Sequence, residues 1–274
     1  MGESFRVSVV HLAPVLASLL FGVFCAYVLR ASSAPIYSVT PFPEGAVGSV
    51  GNALYFVVLV AAGAVLLLFL IKRKSRRFIV VFTGFALSTA VFVLSLIYLS
   101  ALSSLFSPVQ IEVLVSVSAF LTVLAVYVIF GTRSRLCDFM VLLLGGAFGA
   151  FLGVSVQTLS AVLILCFLAV YDVASVFRGP VGKIASFGLE HFRGLGFSFR
   201  DIQMGLGDLT FYSMLVGHML FNFGLMPCLA SVVGVLAGCF LAFKMLERKG
   251  VFPGLPFPVF FGLGLGFLAF AGLG

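Results

Sequence analysis

Apolar and polar positions along this chain alternate on the scale of whole membrane crossings. Nine apolar runs stand out, at about Val9–Leu29, Ala53–Ile71, Phe78–Ala101, Glu112–Phe130, Phe139–Val156, Leu159–Phe177, Met204–Phe223, Cys228–Phe243 and Phe257–Gly274. Each is close to the ~20 residues a helix needs to cross hydrocarbon, so the pattern predicts an all-α membrane protein with nine transmembrane helices. The first run, 21 residues long, exceeds the ~7–15 of a signal-peptide core and reads as a retained span. Nine spans leave no room for a separate soluble domain. Residues 1–274 are expected to form one unit, with spans one to six over about 9–177, a cytoplasmic connection over about 178–203 and spans seven to nine over about 204–274.

Composition agrees: 62% of residues are hydrophobic and 9% charged, which no soluble domain tolerates. The net charge of +7 raises nucleic acid as a partner, but the basic residues sit at helix ends and read as topology signals. With the N-terminus in the cytoplasm, fifteen of the sixteen Lys and Arg fall on the inner side, and only Arg30 lies outside. That asymmetry predicts a cytoplasmic N-terminus and an outer C-terminus. The run Lys72–Arg77 is an inner anchor able to touch anionic lipid. Cys25, Cys137, Cys166, Cys228 and Cys239 form no paired motif and read as small buried hydrophobes. No spacing of His or Cys suggests a metal site. Gly145, Gly149 and Gly153 in span five, and Gly234 and Gly238 in span eight, are spaced for close helix packing. His218 and Asn222, four apart in span seven, read as an interhelical polar contact.

Two acids do not fit an apolar span. Asp172 follows Tyr171 near the end of span six, and Asp208 follows Gly205-Leu206-Gly207 at the start of span seven. A carboxylate at mid-membrane costs about 2.5–3.5 kcal/mol on the lenient scale, so two in consecutive spans suggest a site. Asp172 lies six residues before Arg178 and Asp208 five after Gln203, which puts both roughly 7–9 Å below the inner surface at the helical rise. Consecutive antiparallel spans are expected neighbours, and Gly205 and Gly207 would let spans six and seven approach and water enter. Two carboxyls a few ångströms apart do not readily both ionise and hold one proton between them. One can then take a proton from water while the other polarises a carbonyl, with no metal or cofactor.

Tyr171-Asp172, Gly205-Leu206-Gly207-Asp208 and Pro253-Gly254-Leu255 before the last span resemble the paired motifs of presenilins and signal peptide peptidases, the GxGD intramembrane aspartyl proteases. The compact loops resemble archaeal presenilin-like members. Gly254 departs from the family's Pro-Ala-Leu. The resemblance implies an aspartic endopeptidase that cuts transmembrane helices of other proteins, with Asp172 and Asp208 as the catalytic dyad and Tyr171, Gly205, Leu206, Gly207, Pro253, Gly254 and Leu255 as the substrate-binding surroundings. It also implies a multi-pass protein of the cell membrane, whose partners are transmembrane substrates and lipid; further subunits are not required. A helical substrate must unwind before attack, and an extended one needs a strand partner. The Arg178–Gln203 connection, with Gly179, Gly182, Gly188, Gly194 and Gly196, is expected to supply it. The alternative is an ion-coupled secondary transporter using the two carboxylates, although no internal repeat supports it.

Overall fold

The structure is a computed structural model that describes residues 7–32, 35, 38–73, 76–107, 109–131, 135–178, 194–199 and 202–272. Within these residues lie nine α-helices: α1 (Ala13–Ala31), α2 (Ala46–Lys72), α3 (Arg76–Phe106), α4 (Ile111–Val126), α5 (Arg135–Ser155), α6 (Thr158–Phe177), α7 (Leu206–Phe223), α8 (Leu225–Lys249) and α9 (Pro256–Ala271). Each falls on one apolar run. Seven are long and apolar enough to cross a membrane; α9, at 16 residues, is shorter, and α7 is not among the seven. Asp208, His218 and Asn222 dilute α7.

Helix ends differ from the hydropathy pattern where polar residues stay helical. Helix α2 starts at Ala46 rather than near Ala53, because buried Asn52 exchanges hydrogen bonds with the Phe42 backbone and bonds Ser160 at 3.0 Å. Helix α8 runs on through Lys244 to Lys249. The start of span seven departs from the all-α expectation. Met204 and Gly205 belong to an antiparallel hairpin, β1 (Gly196–Phe199) with β2 (Ile202–Gly205), and α7 begins only at Leu206. Residues 179–193, 200 and 201 of the Arg178–Gln203 connection lie outside the described residues.

Two seams of glycine hold the bundle. A Cβ on Gly149 would collide with the Thr210 carbonyl and lie 2.8 Å from Met214 N; one on Gly153 would meet the Met214 carbonyl and lie 2.8 Å from His218 N. Helices α5 and α7 therefore touch backbone to backbone, as the spacing predicts. Gly234 and Gly238 do the same for α8 and α9, where a Cβ on Gly238 would lie 2.5 Å from Pro258 N. In lipid, where apolar side chains gain little from mutual burial, such close packing is a main source of cohesion.

Polar contacts finish the bundle at the end of α7 away from Asp208. His218 bonds the Gly153 carbonyl at 2.8 Å, with Thr158 and Asn222 around the ring, so the His218–Asn222 pair joins α7 to the α5–α6 turn. Arg30 donates to the Leu220 carbonyl at 2.6 Å, one of the last carbonyls of α7 that lack a helical partner. None of the five cysteines is in a disulfide among the described residues.

The seam makes a direct prediction. Gly149→Ala should cost about 2–3 kcal/mol by overpacking. Gly63→Ala, whose Cβ meets nothing within 4 Å, should be neutral or slightly stabilising. Thermal unfolding in detergent measures both; equal stabilities would contradict backbone contact between α5 and α7.

Candidate active site

Helix α6 lies mainly against α2 and α9 and touches α7 only lightly. The start of α9 stands between them, and both acids reach it. Both lean on one turn of backbone there. Leu255 is the N-cap of α9, and its N–H is among those no helix satisfies. It donates to Asp172 Oδ2 at 3.0 Å. Asp208 lies on the other side of the same turn: a Cβ on Gly254 would lie 3.0 Å from its Oδ2 and 3.2 Å from its Cγ. Both side chains are half-buried, as expected of walls of a crevice.

Each carboxyl also faces the positive end of a helix. Asp208 is in the first turn of α7 and reaches back to the Gly205 amide, one half of a capping box. Asp172 sits at the first turn of α9, where backbone dipoles favour an anion. The two carboxyls interact electrostatically.

The turn is itself fixed. Pro253 and Leu255 are buried, and Phe252 and Phe257 stack across it with ring centroids 5.5 Å apart. Pro256 opens α9 at a position whose N–H would have no helical partner. The missing side chain of Gly254 leaves the space that the Asp208 carboxylate borders, so the departure from Pro-Ala-Leu lies at the contact with that acid.

Other expectations from the sequence change. Gly205 and Gly207 do not bring α6 and α7 together: a Cβ on Gly205 would meet nothing nearer than Asp208 Oδ2 at 3.8 Å, and one on Gly207 only Phe211 at 4.0 Å. They leave open space beside the acid instead, and Gly207 is exposed. Leu206 turns toward α5, with Cδ1 3.4 Å from where a Cβ on Gly145 would be. The Tyr171 hydroxyl is buried beside Ser175 and, among the described residues, makes no well-formed hydrogen bond. A different tyrosine, Tyr212, reaches the turn and donates to the Gly254 carbonyl at 2.8 Å. Its only sequence signal is its place four residues after Asp208.

The hairpin leads straight into Asp208. Its register pairs Phe197 with Met204 and Phe199 with Ile202. Leu206 N–H bonds the Leu195 carbonyl at 2.8 Å, so by antiparallel alternation Gln203 and Ser198 point their backbone groups outward. Ser198 N–H is taken by Asp138 Oδ1 at 3.4 Å. Gln203 is exposed and, among the described residues, its outward N–H has no hydrogen-bond partner.

Comparisons with known proteins give the chain a family and a fold. The sequence profile of the family described as signal-peptide peptidase, presenilin aspartyl protease matches residues 17–182, more than half of the chain. That stretch includes Tyr171 and Asp172 and stops short of Asp208. A solved presenilin family intramembrane aspartate protease, in a C222 crystal form, superposes with a TM-score of 0.69 at 21% identity, covering 98% of this chain and 100% of that one. A presenilin family intramembrane aspartate protease in a P2 form gives a TM-score of 0.66 at 26% identity, covering 95% of this chain and 97% of that one. No curated protein matches, and nothing in these comparisons supports the transporter alternative. This chain belongs to the signal-peptide peptidase and presenilin aspartyl protease family, and it is an intramembrane aspartyl protease.

Proposed function

We propose that Asp172 and Asp208 are the catalytic pair of this protease. The observation that carries the reading is their common support: Asp172 accepts from Leu255 N–H at 3.0 Å, and Asp208 lies against Gly254 in the same turn. A water held between the carboxyls would lose a proton to the ionised one and attack the scissile carbonyl, which the protonated one polarises. The proton then passes to the leaving amine. Gly205, Gly207 and Gly254 keep side chains away from the reacting atoms, and Pro253 and Leu255 hold the turn. Leu206 and Tyr171 support the walls rather than the substrate.

The substrate enters extended. A strand laid along β2 would pair with the N–H and C=O of Gln203, five residues before Asp208, while Asp138 blocks the other edge of the hairpin. Backbone pairing of this kind holds an unwound segment without reading its sequence. We further read all nine helices as crossings of the cell membrane, with α7 and α9 included, the N-terminus cytoplasmic and residues 1–274 acting as one unit. The support is the placement of fifteen of sixteen basic residues on one side. At about 1.5 Å per residue α9 spans roughly 24 Å, short of the ~30 Å hydrocarbon core; the Pro253–Leu255 turn before it adds to the length of the crossing.

Asp172→Asn and Asp208→Asn should each lower cleavage of a single-span reporter in liposomes by at least about 10³-fold, with helicity and thermal stability kept. Cleavage by either variant at the native rate would remove that residue from the pair. Gln203→Pro takes away only the outward N–H and leaves the hairpin's internal bonds. It should slow cleavage about tenfold without unfolding the protein; unchanged turnover would exclude strand addition at β2. Gly254→Ala puts a methyl 3.0 Å from Asp208 Oδ2 and should lower kcat several-fold, read in the same liposome assay.

A further inference from the structure

Tyr212 lies one turn beyond Asp208 on α7 and is 1% exposed. Its hydroxyl donates to the Gly254 carbonyl at 2.8 Å. The N–H of that same peptide group, on Leu255, donates to Asp172 Oδ2 at 3.0 Å. A peptide group is planar and rigid, with its C=O and N–H fixed in opposite directions. Turning one end turns the other. This one unit is therefore held at one end by the helix that carries Asp208 and at the other end by Asp172.

We infer that Tyr212 is a positioning residue for the dyad: through the Gly254–Leu255 peptide it sets the direction from which Leu255 N–H meets Asp172. The inference rests on reading Asp172 and Asp208 as the catalytic pair. A carbonyl that accepts a hydrogen bond makes its own N–H a better donor, so the tyrosine strengthens the contact as well as aiming it. The Gly254 N–H also turns toward Asp172, so both amides of the turn converge on that carboxylate. Tyr212 has little freedom to do otherwise. It is buried, and Cys239 of α8, 0% exposed, lies against the same hydroxyl and offers only a weak partner.

A tyrosine-to-backbone bond elsewhere in the bundle separates this role from general stability. Tyr98 of α3 donates to the Ala147 carbonyl of α5 at 2.7 Å, a contact that involves neither aspartate. Pro253 and Pro256 have no N–H, so Gly254 and Leu255 carry the only exchangeable amides between them.

The test compares Tyr212→Phe with Tyr98→Phe, full length in liposomes with a single-span reporter. Tyr212→Phe should lower kcat about tenfold with KM nearly unchanged, and hydrogen exchange at Leu255 should speed up. Tyr98→Phe should alter neither, whatever it does to thermal stability. Placing 4-aminophenylalanine at position 212 returns a donor and should restore most of kcat; it also serves if Tyr212→Phe does not fold. Native kcat or native Leu255 exchange in Tyr212→Phe would overturn the inference, as would an equal loss in Tyr98→Phe. Asp172→Asn, run alongside, tests the dyad itself. If that variant cleaves, the catalytic assignment falls, and Leu255 exchange still decides whether Tyr212 holds the peptide.

Discussion

The arrangement depends on one unsatisfied backbone turn. A helix that begins inside the membrane leaves N–H groups with no partner, and lipid offers none. Here Leu255 is the N-cap of α9, and a carboxylate from α6 accepts its N–H. Each problem answers the other: a buried acid needs donors, and a buried helix start needs acceptors. Asp208 has the matching relation to the first turn of α7. Two acids that would be costly alone are held at two helix ends that would be costly alone.

The glycine seams make this possible at a distance. Contact between α5 and α7, and between α8 and α9, is backbone on backbone, so little adjustment remains in either pair. Asp208 and the Gly254–Leu255 turn ride on those rigid pairs. Helix α6 is held to α2 by the Asn52–Ser160 contact and meets α7 sparingly. The result is that α6 and α7 are joined around the start of α9 rather than directly against each other.

Much of this was legible in the residues. Nine apolar runs became nine helices because hydrophobic length is imposed by the bilayer. Counting residues to Arg178 and Gln203 put Asp172 and Asp208 at one level, and in the structure both reach the Gly254–Leu255 turn. Gly149 and Gly153 announced their packing by spacing alone. Other features were not legible, each for a physical reason. The hairpin at Gly196–Gly205 has strands of four residues, too short for alternation to stand out beside an apolar run. Gly205 and Gly207 looked like packing glycines, yet which way a glycine faces depends on a neighbour that the sequence does not place. Tyr171 adjoins Asp172 in sequence, but Tyr212 is the tyrosine that reaches the turn, because helical period rather than adjacency decides what shares a face. Hydropathy also undercounted α2 and α8, whose polar ends stay helical through Asn52 and through Lys244–Lys249.

The central claim is that the carboxyls of α6 and α7 face each other across the turn at Gly254. The direct measurement replaces both with thiols, Asp172→Cys with Asp208→Cys, in a protein whose five native cysteines are alanine. A short reagent reactive with thiols at both ends is then added to intact membranes. After the chain is cut within residues 179–193, the account predicts a bridge that keeps the fragments carrying α6 and α7 joined, and none in either single-thiol protein. Thiols that react with the reagent and never bridge would contradict it.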